Sequence, residues 1–281
     1  MNTVNRCKPL LGTFVEIKIT ANLSRDVLIG YTEKGFEIIQ QIDNEMSFHN
    51  PNSELTRVNR NAAISPVCIS KGLIKVIKTA LFYSKLSDGN FDITVAGALV
   101  KNGSLPNHQF NRGGGGRWND IEVSGDTIFF KRPLIIDLGG IAKGYAVDVA
   151  FEEIYRLMSG VNRYNLIVNA GGDLRMYPWA DQSVHIIVPK KPFRNTIKVP
   201  MYSSSLATSS YYNNGSIVDA SSNIQKTNLS YSVFSKNCID ADAQTKIAAL
   251  DVALVPQESK VIIINSDGLE TECGKNAPNR I

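Results

Sequence analysis

The chain has 281 residues, 43% of them hydrophobic, with 30 basic and 26 acidic side chains for a formal net charge of +4. The basic residues are scattered rather than gathered in one run or helix, which excludes a nucleic-acid-binding stripe, and no apolar stretch approaches the roughly 20 residues of a membrane-spanning helix. The length suits one large core or two intimately packed lobes, and residues 1–281 are read as one unit of that kind.

Cys7, Cys68, Cys238 and Cys273 lie far apart, without a CxxC pair or zinc-ligand spacing, and read as unpaired thiols. Residues 1–8 lack the apolar core of a signal peptide or lipoprotein leader, so a cytoplasmic location is expected. Residues 13–20 alternate Val15, Ile17 and Ile19 with Phe14, Glu16 and Lys18, a period-two strand with one apolar face that is read as the start of the fold. Ser24 or Asp26 can cap a helix carrying Leu28, Phe36, Ile39, Ile42 and Met46. Ser70 can cap another, bearing Leu73, Ile74, Ile77, Ala80, Leu81 and Leu86. Residues 101–117 dissolve into Asn, Gly, Pro and His, and predict a loop that serves as a lid or excursion.

Residues 120–123 and 127–130 flank Ser124-Gly125-Asp126, a hairpin signal. A buried strand is expected at 133–136 and an amphipathic helix at 145–158. Strands at 165–168 and 184–188 are expected to embrace the turn Asn169-Ala-Gly-Gly-Asp173. A helix over 241–253 and a closing strand at 260–265 complete the pattern. Strands arriving both in hairpins and between helices favour an α+β fold with mixed or antiparallel sheets and packed helices.

The segment DLGGIAKGYAVD, residues 137–148, carries the most chemistry. Placed between strand and helix, Gly139, Gly140 and Gly144 let backbone approach a ligand. The first helical turn offers unpaired N–H groups, and Asp137 and Lys143 bring both charges to one mouth. This suits a phosphate-bearing ligand with a metal. The spacing is neither GxGxxG nor a Walker loop. The same residues also read as a tight turn with a solvated Asp137–Lys143 pair.

Leu11-Gly-Thr-Phe-Val-Glu-Ile17, Asn90-Phe-Asp-Ile-Thr-Val95, DLGGIAKGYAVD, Asn169-Ala-Gly-Gly-Asp173, Ala207-Thr-Ser-Ser210 and Ala241-Asp-Ala-Gln-Thr245 follow one another in order. Together they resemble the ApbE-like family, the FAD:protein FMN transferases, over residues 6–265. The resemblance implies that a threonine or serine hydroxyl of an acceptor flavoprotein attacks the flavin-side phosphorus of FAD and AMP leaves. Hydrolysis of FAD to FMN and AMP, and FAD binding without chemistry, are the alternatives. In-line phosphoryl transfer depends mostly on positioning and electrostatics, and magnesium is the implied charge neutraliser.

Carried over position by position, the implied FAD contacts are Leu11, His49, Asn90, Phe91, Asp92, Asp137, Lys143 and Val218, with Thr208 and Ser209 lining the same cleft. The implied metal site is the backbone at Gly140 with Asp242 and Thr245, which share a helix face. Asp242 also reads as a helix cap, Phe91 as core, His49 as a surface-loop residue and Asp173 as a turn-shaping carboxylate. Asp242, Lys143 and Ser216 are the candidate catalytic residues.

Two departures stand out. Many members carry Thr four residues after the metal-binding Asp, where this chain has Lys246, which reads either as a phosphate-reaching charge or as a solvated lysine. Where the family has His-x-Ile-Asp-Pro, this chain has Ser216-Ile-Val-Asp-Ala220. Serine cannot take a proton near neutral pH as imidazole can, so Ser216 predicts a slow enzyme. Neither His108, in the loose loop, nor His185, alternating within a strand, is an evident replacement.

Overall fold

A computed structural model describes residues 1–110, 115–189, 195–210, 217–218, 224–225, 228–268 and 270–273. The chain divides into two compact units. The first comprises Met1–Gln40, Lys143–Ser216 and Lys226–Ile281, and the second Gln41–Ala142 and Ile217–Gln225.

The first unit is built on an eight-stranded sheet. Its strands, in spatial order, are Asn2–Leu10, Thr13–Ala21, Asn165–Ala170, Asp173–Tyr177, Ser205–Ser210, Ser230–Ser235, Lys260–Ile264 and Glu270–Cys273. Every neighbouring pair is antiparallel, in accord with the expected α+β class. Thr13–Ala21 buries Val15, Ile17 and Ile19 completely, as its alternation predicts. It does not begin the fold, because Asn2–Leu10 pairs along its whole length. That edge strand keeps only Val4 and Leu10 buried, so it lacks the period-two signal of a half-buried strand.

Both faces of the sheet are covered. On one face Leu174, Met176, Leu206, Phe234, Ile262 and Ile264 meet Ile186, Val188, Val199 and Met201. The last four lie in or beside the two-stranded sheet Ser183–Ile187 and Thr196–Pro200. The expected strand at 184–188 therefore belongs to this separate hairpin. The strand that follows the 169–173 turn is Asp173–Tyr177, which pairs with Asn165–Ala170. On the opposite face helix Cys238–Leu250 packs against Ser205–Ser210, Ser230–Ser235 and Asp173–Tyr177. The strand Ser230–Ser235 is consequently buried at every position. The strand at Lys260–Ile264 is not the closing one, since Glu270–Cys273 pairs beyond it.

The second unit holds a three-stranded antiparallel sheet in the order Val67–Cys68, Thr127–Phe130, Ile121–Ser124, with helices Glu54–Asn61 and Lys71–Leu86. The hairpin at Ile121–Phe130 follows the sequence expectation. Ser70 caps its helix as predicted, accepting from the Leu73 N–H at 3.2 Å. Within residues 133–136, Leu134, Ile135 and Ile136 are buried, but they form no strand. The Asn59 side chain takes the part of a partner strand there, donating to the Ile136 carbonyl at 2.9 Å and accepting from the Ile136 N–H at 2.8 Å. A side-chain amide presents one donor and one acceptor side by side, as a backbone neighbour would.

In the predicted loop 101–117, α-helix Ala96–Lys101 ends at the first residue, and Phe110 is buried beside Phe48, centroids 5.6 Å apart. His108 is not loose, because its Nε2 bonds the Phe48 carbonyl at 2.7 Å. Among the described residues Cys7, Cys68 and Cys238 are free thiols. No helix among them is long and apolar enough to cross a membrane.

Candidate functional site

Helix Ala142–Leu157, which begins inside the DLGGIAKGYAVD segment, meets the first turn of helix Cys238–Leu250 through two residues one turn apart. Gly144 permits the approach: a Cβ there would stand 2.3 Å from the Cys238 carbonyl oxygen. Its N–H, in the first turn of the helix and so without an intrahelical acceptor, donates to Asp242 Oδ2 at 3.1 Å. Asp148 then accepts from the Cys238 and Ile239 N–H groups at 2.9 and 2.8 Å. A carboxylate at a helix N-terminus satisfies orphan donors and opposes the positive end of the macrodipole. Arg175 pins that carboxylate from the sheet at 3.0 Å while lying over the Phe151 ring.

Helix Cys238–Leu250 is buried nearly all round, with small Ala241, Ala243 and Ala248 letting it sit close to the sheet. Asp242 and Thr245 are therefore fully buried polar groups, and each must be satisfied by the protein. Asp242 does not cap the helix, whose N-cap is Asn237. Its Oδ2 also lies 3.4 Å from Lys143 Nζ, and its Oδ1 is bonded by Lys246 Nζ. Its main-chain carbonyl accepts from Lys246 Nζ at 3.0 Å and from Thr245 Oγ1 at 2.7 Å. The Thr245 hydroxyl in turn meets Ser209 Oγ at 2.7 Å. Lys246 is thus not a solvated lysine; its side chain is 19% exposed and its Nζ is held on Asp242.

Asp173, read from sequence as a turn-shaper, is the other partner of Lys143, at 2.7 Å from Nζ. It follows Gly171 and Gly172, whose φ values of 64° and 106° suit a two-residue hairpin turn, and it starts the strand on the helix-facing side. The Thr208 N–H approaches its Oδ1 at 3.4 Å. Burial alone would lower the Lys143 pKa, but Asp173 and Asp242 override it and hold the ammonium firmly charged. Burial also opposes ionisation of Asp242, yet Lys143 and Lys246 win and its pKa falls below the usual range. For Asp173 burial dominates, reinforced by the Asp242 charge, and its pKa rises.

The expectation that Thr208 and Ser209 share one cleft is corrected by strand alternation. Ser209 faces the helix through Thr245, whereas the Thr208 hydroxyl bonds Ser232 Oγ at 2.9 Å on the other side. Only the backbone N–H of Thr208 reaches the cluster. Leu11, also in the first unit, sits with Gly12 in the tight turn between the first two strands, at φ 56° and 68° respectively.

The remaining candidates belong to the second unit. Asp92 caps the short helix Ile93–Val95, accepting from Thr94 N at 2.8 Å and from Trp118 N at 3.3 Å. Burial raises its pKa, opposed by those amides. Phe91 is buried, with its N–H on Ser87 Oγ, in keeping with a core role. Asn90 N donates to the Ser87 carbonyl at 3.0 Å. Asp137 receives the Gly139 N–H at 3.0 Å, an Asx turn, and its own N–H bonds the Ile93 carbonyl. Gly140 lies between this turn and the helix start, while His49 is exposed next to buried Phe48. Val218 pairs with Ile224 in a two-stranded ladder. Ser216 lies outside the described residues.

The donors proposed for magnesium do not offer it a place as they stand. Asp242 already carries two ammonium groups, and the Thr245 hydroxyl is engaged on both sides. Among the described residues no three His, Cys, Asp or Glu side chains converge on a point. Sequence reasoning missed Asp148 as a cap and Asp173 as a charge partner. The visible signals were an i, i+4 spacing of Gly144 and Asp148 and an Asp opening a strand directly after Gly-Gly.

A model of the ApbE family matches residues 11–253. The FAD:protein FMN transferase of Vibrio cholerae is 26% identical over 234 residues, 73% of this chain and 68% of that protein. That of Chlamydia pneumoniae is 34% identical over 155 residues, 50% of this chain and 45% of that protein. The chain thus matches less than half the length of the second relative. The crystal structure of the ApbE protein from Thermotoga maritima superposes with a TM-score of 0.78 at 22% identity, over 96% of this chain and 97% of that one. The flavin transferase ApbE from Vibrio cholerae superposes with a TM-score of 0.74 at 21% identity, over 98% and 97%. At these identities the structural likeness is one of fold.

Proposed function

Because the chain belongs to the ApbE family, we propose that it transfers the FMN moiety of FAD to a threonine or serine hydroxyl of an acceptor flavoprotein, releasing AMP. Relatives that carry the name FAD:protein FMN transferase support this reading. The observation that carries it is Lys143, presented at the start of a helix and kept charged by two carboxylates while its side chain stays 29% exposed. A cation so fixed is a ready partner for a phosphate. The acceptor oxygen attacks the flavin-side phosphorus, the bond from that phosphorus to the AMP oxygen breaks, and the hydroxyl proton leaves to solvent or to a neighbouring base. Leu11, His49, Asn90, Phe91, Asp92, Asp137 and Val218 are proposed to contact the flavin nucleotide, with Ser209 and the Thr208 backbone lining the phosphate side. The resemblance implies magnesium at the Gly140 backbone, Asp242 and Thr245, but the Asp242 and Thr245 side chains are already committed to Lys143, Lys246 and Ser209.

The test is incubation with FAD and a candidate acceptor flavoprotein, read by in-gel fluorescence and mass. A covalent fluorescent adduct with free AMP supports transfer. FMN with AMP and no adduct indicates hydrolysis, and intact FAD overturns both. Lys143→Ala is expected to lower turnover about 100-fold or more, as loss of one preorganised charge does. Ser216→His is expected to raise it without changing FAD affinity, since a positioned base is worth about 100-fold or more.

A further inference from the structure

Asp242 has the shape of a cation-binding centre that already contains its cation. Its carboxylate is fully buried, one oxygen faces the Gly144 N–H and Lys143, and the other faces Lys246. Lys246 stands one helical turn after Asp242, the acid-first order that favours an i, i+4 pair, and it reaches back to both the side chain and the main-chain carbonyl. An ammonium has three donors and no acceptor. Two serve Asp242, which leaves one N–H for a ligand oxygen among the described residues.

We propose that Lys246 is the resident cation of this site, standing on Asp242 in the position that a divalent metal would need, so that flavin diphosphate is received by two ammonium groups instead of one ammonium and a metal ion. The geometry stands by itself; only the identity of the ligand rests on the flavin reading. Charge supports the assignment. Lys143 and Lys246 face Asp242 and Asp173, so a dication added to this set would bring two surplus positive charges into a buried cluster. Admitting the ion requires expelling Lys246. Thr245 cannot compensate, because its hydroxyl is tied to the Asp242 carbonyl and Ser209. An ammonium is also a less concentrated charge than magnesium, with no ligand shell to orient, so it trades transition-state stabilisation for independence from metal supply.

The experiment uses the full chain without flavin and follows the aqueous Mn2+ signal by electron paramagnetic resonance. The native protein is expected to leave the signal unchanged. Lys246→Thr, which sets an oxygen in place of the ammonium, is expected to remove a stoichiometric share of it, and adding Asp242→Asn is expected to restore it. A native protein that sequesters Mn2+ and loses that ability in Asp242→Asn overturns the proposal. So does a Lys246→Thr protein with native circular dichroism that ignores the ion. Should that variant fail to fold, Lys246→Gln keeps the long stem, offers an amide oxygen, and is read by the same outcomes. A separate FAD titration with and without chelator decides the flavin reading, so a protein that ignores FAD defeats that reading and leaves the ion result intact.

Discussion

Two carboxylates meet one lysine, and the protein asks opposite things of them. Asp242 is held below the usual pKa range by Lys143 and Lys246 against its burial, so the folded state demands its charge. It contributes stability that is present above the ordinary carboxylate range and lost as pH falls through its depressed folded value. Asp173 has the reverse sign: burial and the Asp242 charge raise its pKa, so stability erodes as pH climbs from its unfolded to its folded value. Asp242→Asn is therefore expected to cost about 3–5 kcal/mol near neutral pH, as removal of a buried partner does. Asp173→Asn should change stability by less than about 1 kcal/mol, since Lys143 retains Asp242. Urea unfolding at neutral and mildly acid pH checks this, and equal losses for the two variants would refute the assignment.

At the level of elements, turns and caps decide more than propensity. Leu11 occupies a left-handed position in the turn between Asn2–Leu10 and Thr13–Ala21. The left-handed region costs an ordinary L-residue roughly 1–2 kcal/mol, and Asn tolerates it better. Leu11→Asn is expected to raise the unfolding midpoint while weakening FAD binding, and a variant with lower stability would show that the leucine side chain matters more than its backbone. Asp148→Ala removes the acceptor of two helix-start amides and the partner of Arg175. A loss of about 3–5 kcal/mol in chemical denaturation is expected, and a loss under about 1 kcal/mol would reduce the cap to ornament. Elements with a clean period were legible in the sequence: Thr13–Ala21, the hairpin at Ile121–Phe130, and the Ser70-capped helix. Asn2–Leu10 was not, being an edge strand with few buried positions. Ser205–Ser210 and Ser230–Ser235 are serine-rich and show no sustained apolar alternation, and what makes them strands is pairing with partners distant in the chain. Of the site, the ordered motifs named Lys143, Asp242 and Thr245. Which charge sits on which oxygen depends on rotamers and neighbours across the fold: the i, i+4 spacing of Asp242 and Lys246 marks a pair without naming the oxygen, and Asp173 meets Lys143 only once the chain is folded.

Across the whole molecule, the continuous segment Gln41–Ala142 separates strands that must pair, since Thr20 lies opposite Asn165. Closing so long a loop is slow compared with forming local hairpins. In pulse-labelled hydrogen exchange, amides of Ile121–Ser124 and Thr127–Phe130 should gain protection before those of Thr13–Ala21 and Asn165–Ala170; the opposite order would contradict this reading. Once assembled, the Asp148 clamp has a wider effect. It secures the start of Cys238–Leu250 through backbone amides, so the helix start is fixed without the side chain at position 246. Position 246 can then exchange one chemistry for another, ammonium, hydroxyl or amide, as a lathe accepts a new tool without being rebuilt, and a family of flavin enzymes with different ion requirements could be made by changing a single side chain on an unmoved backbone.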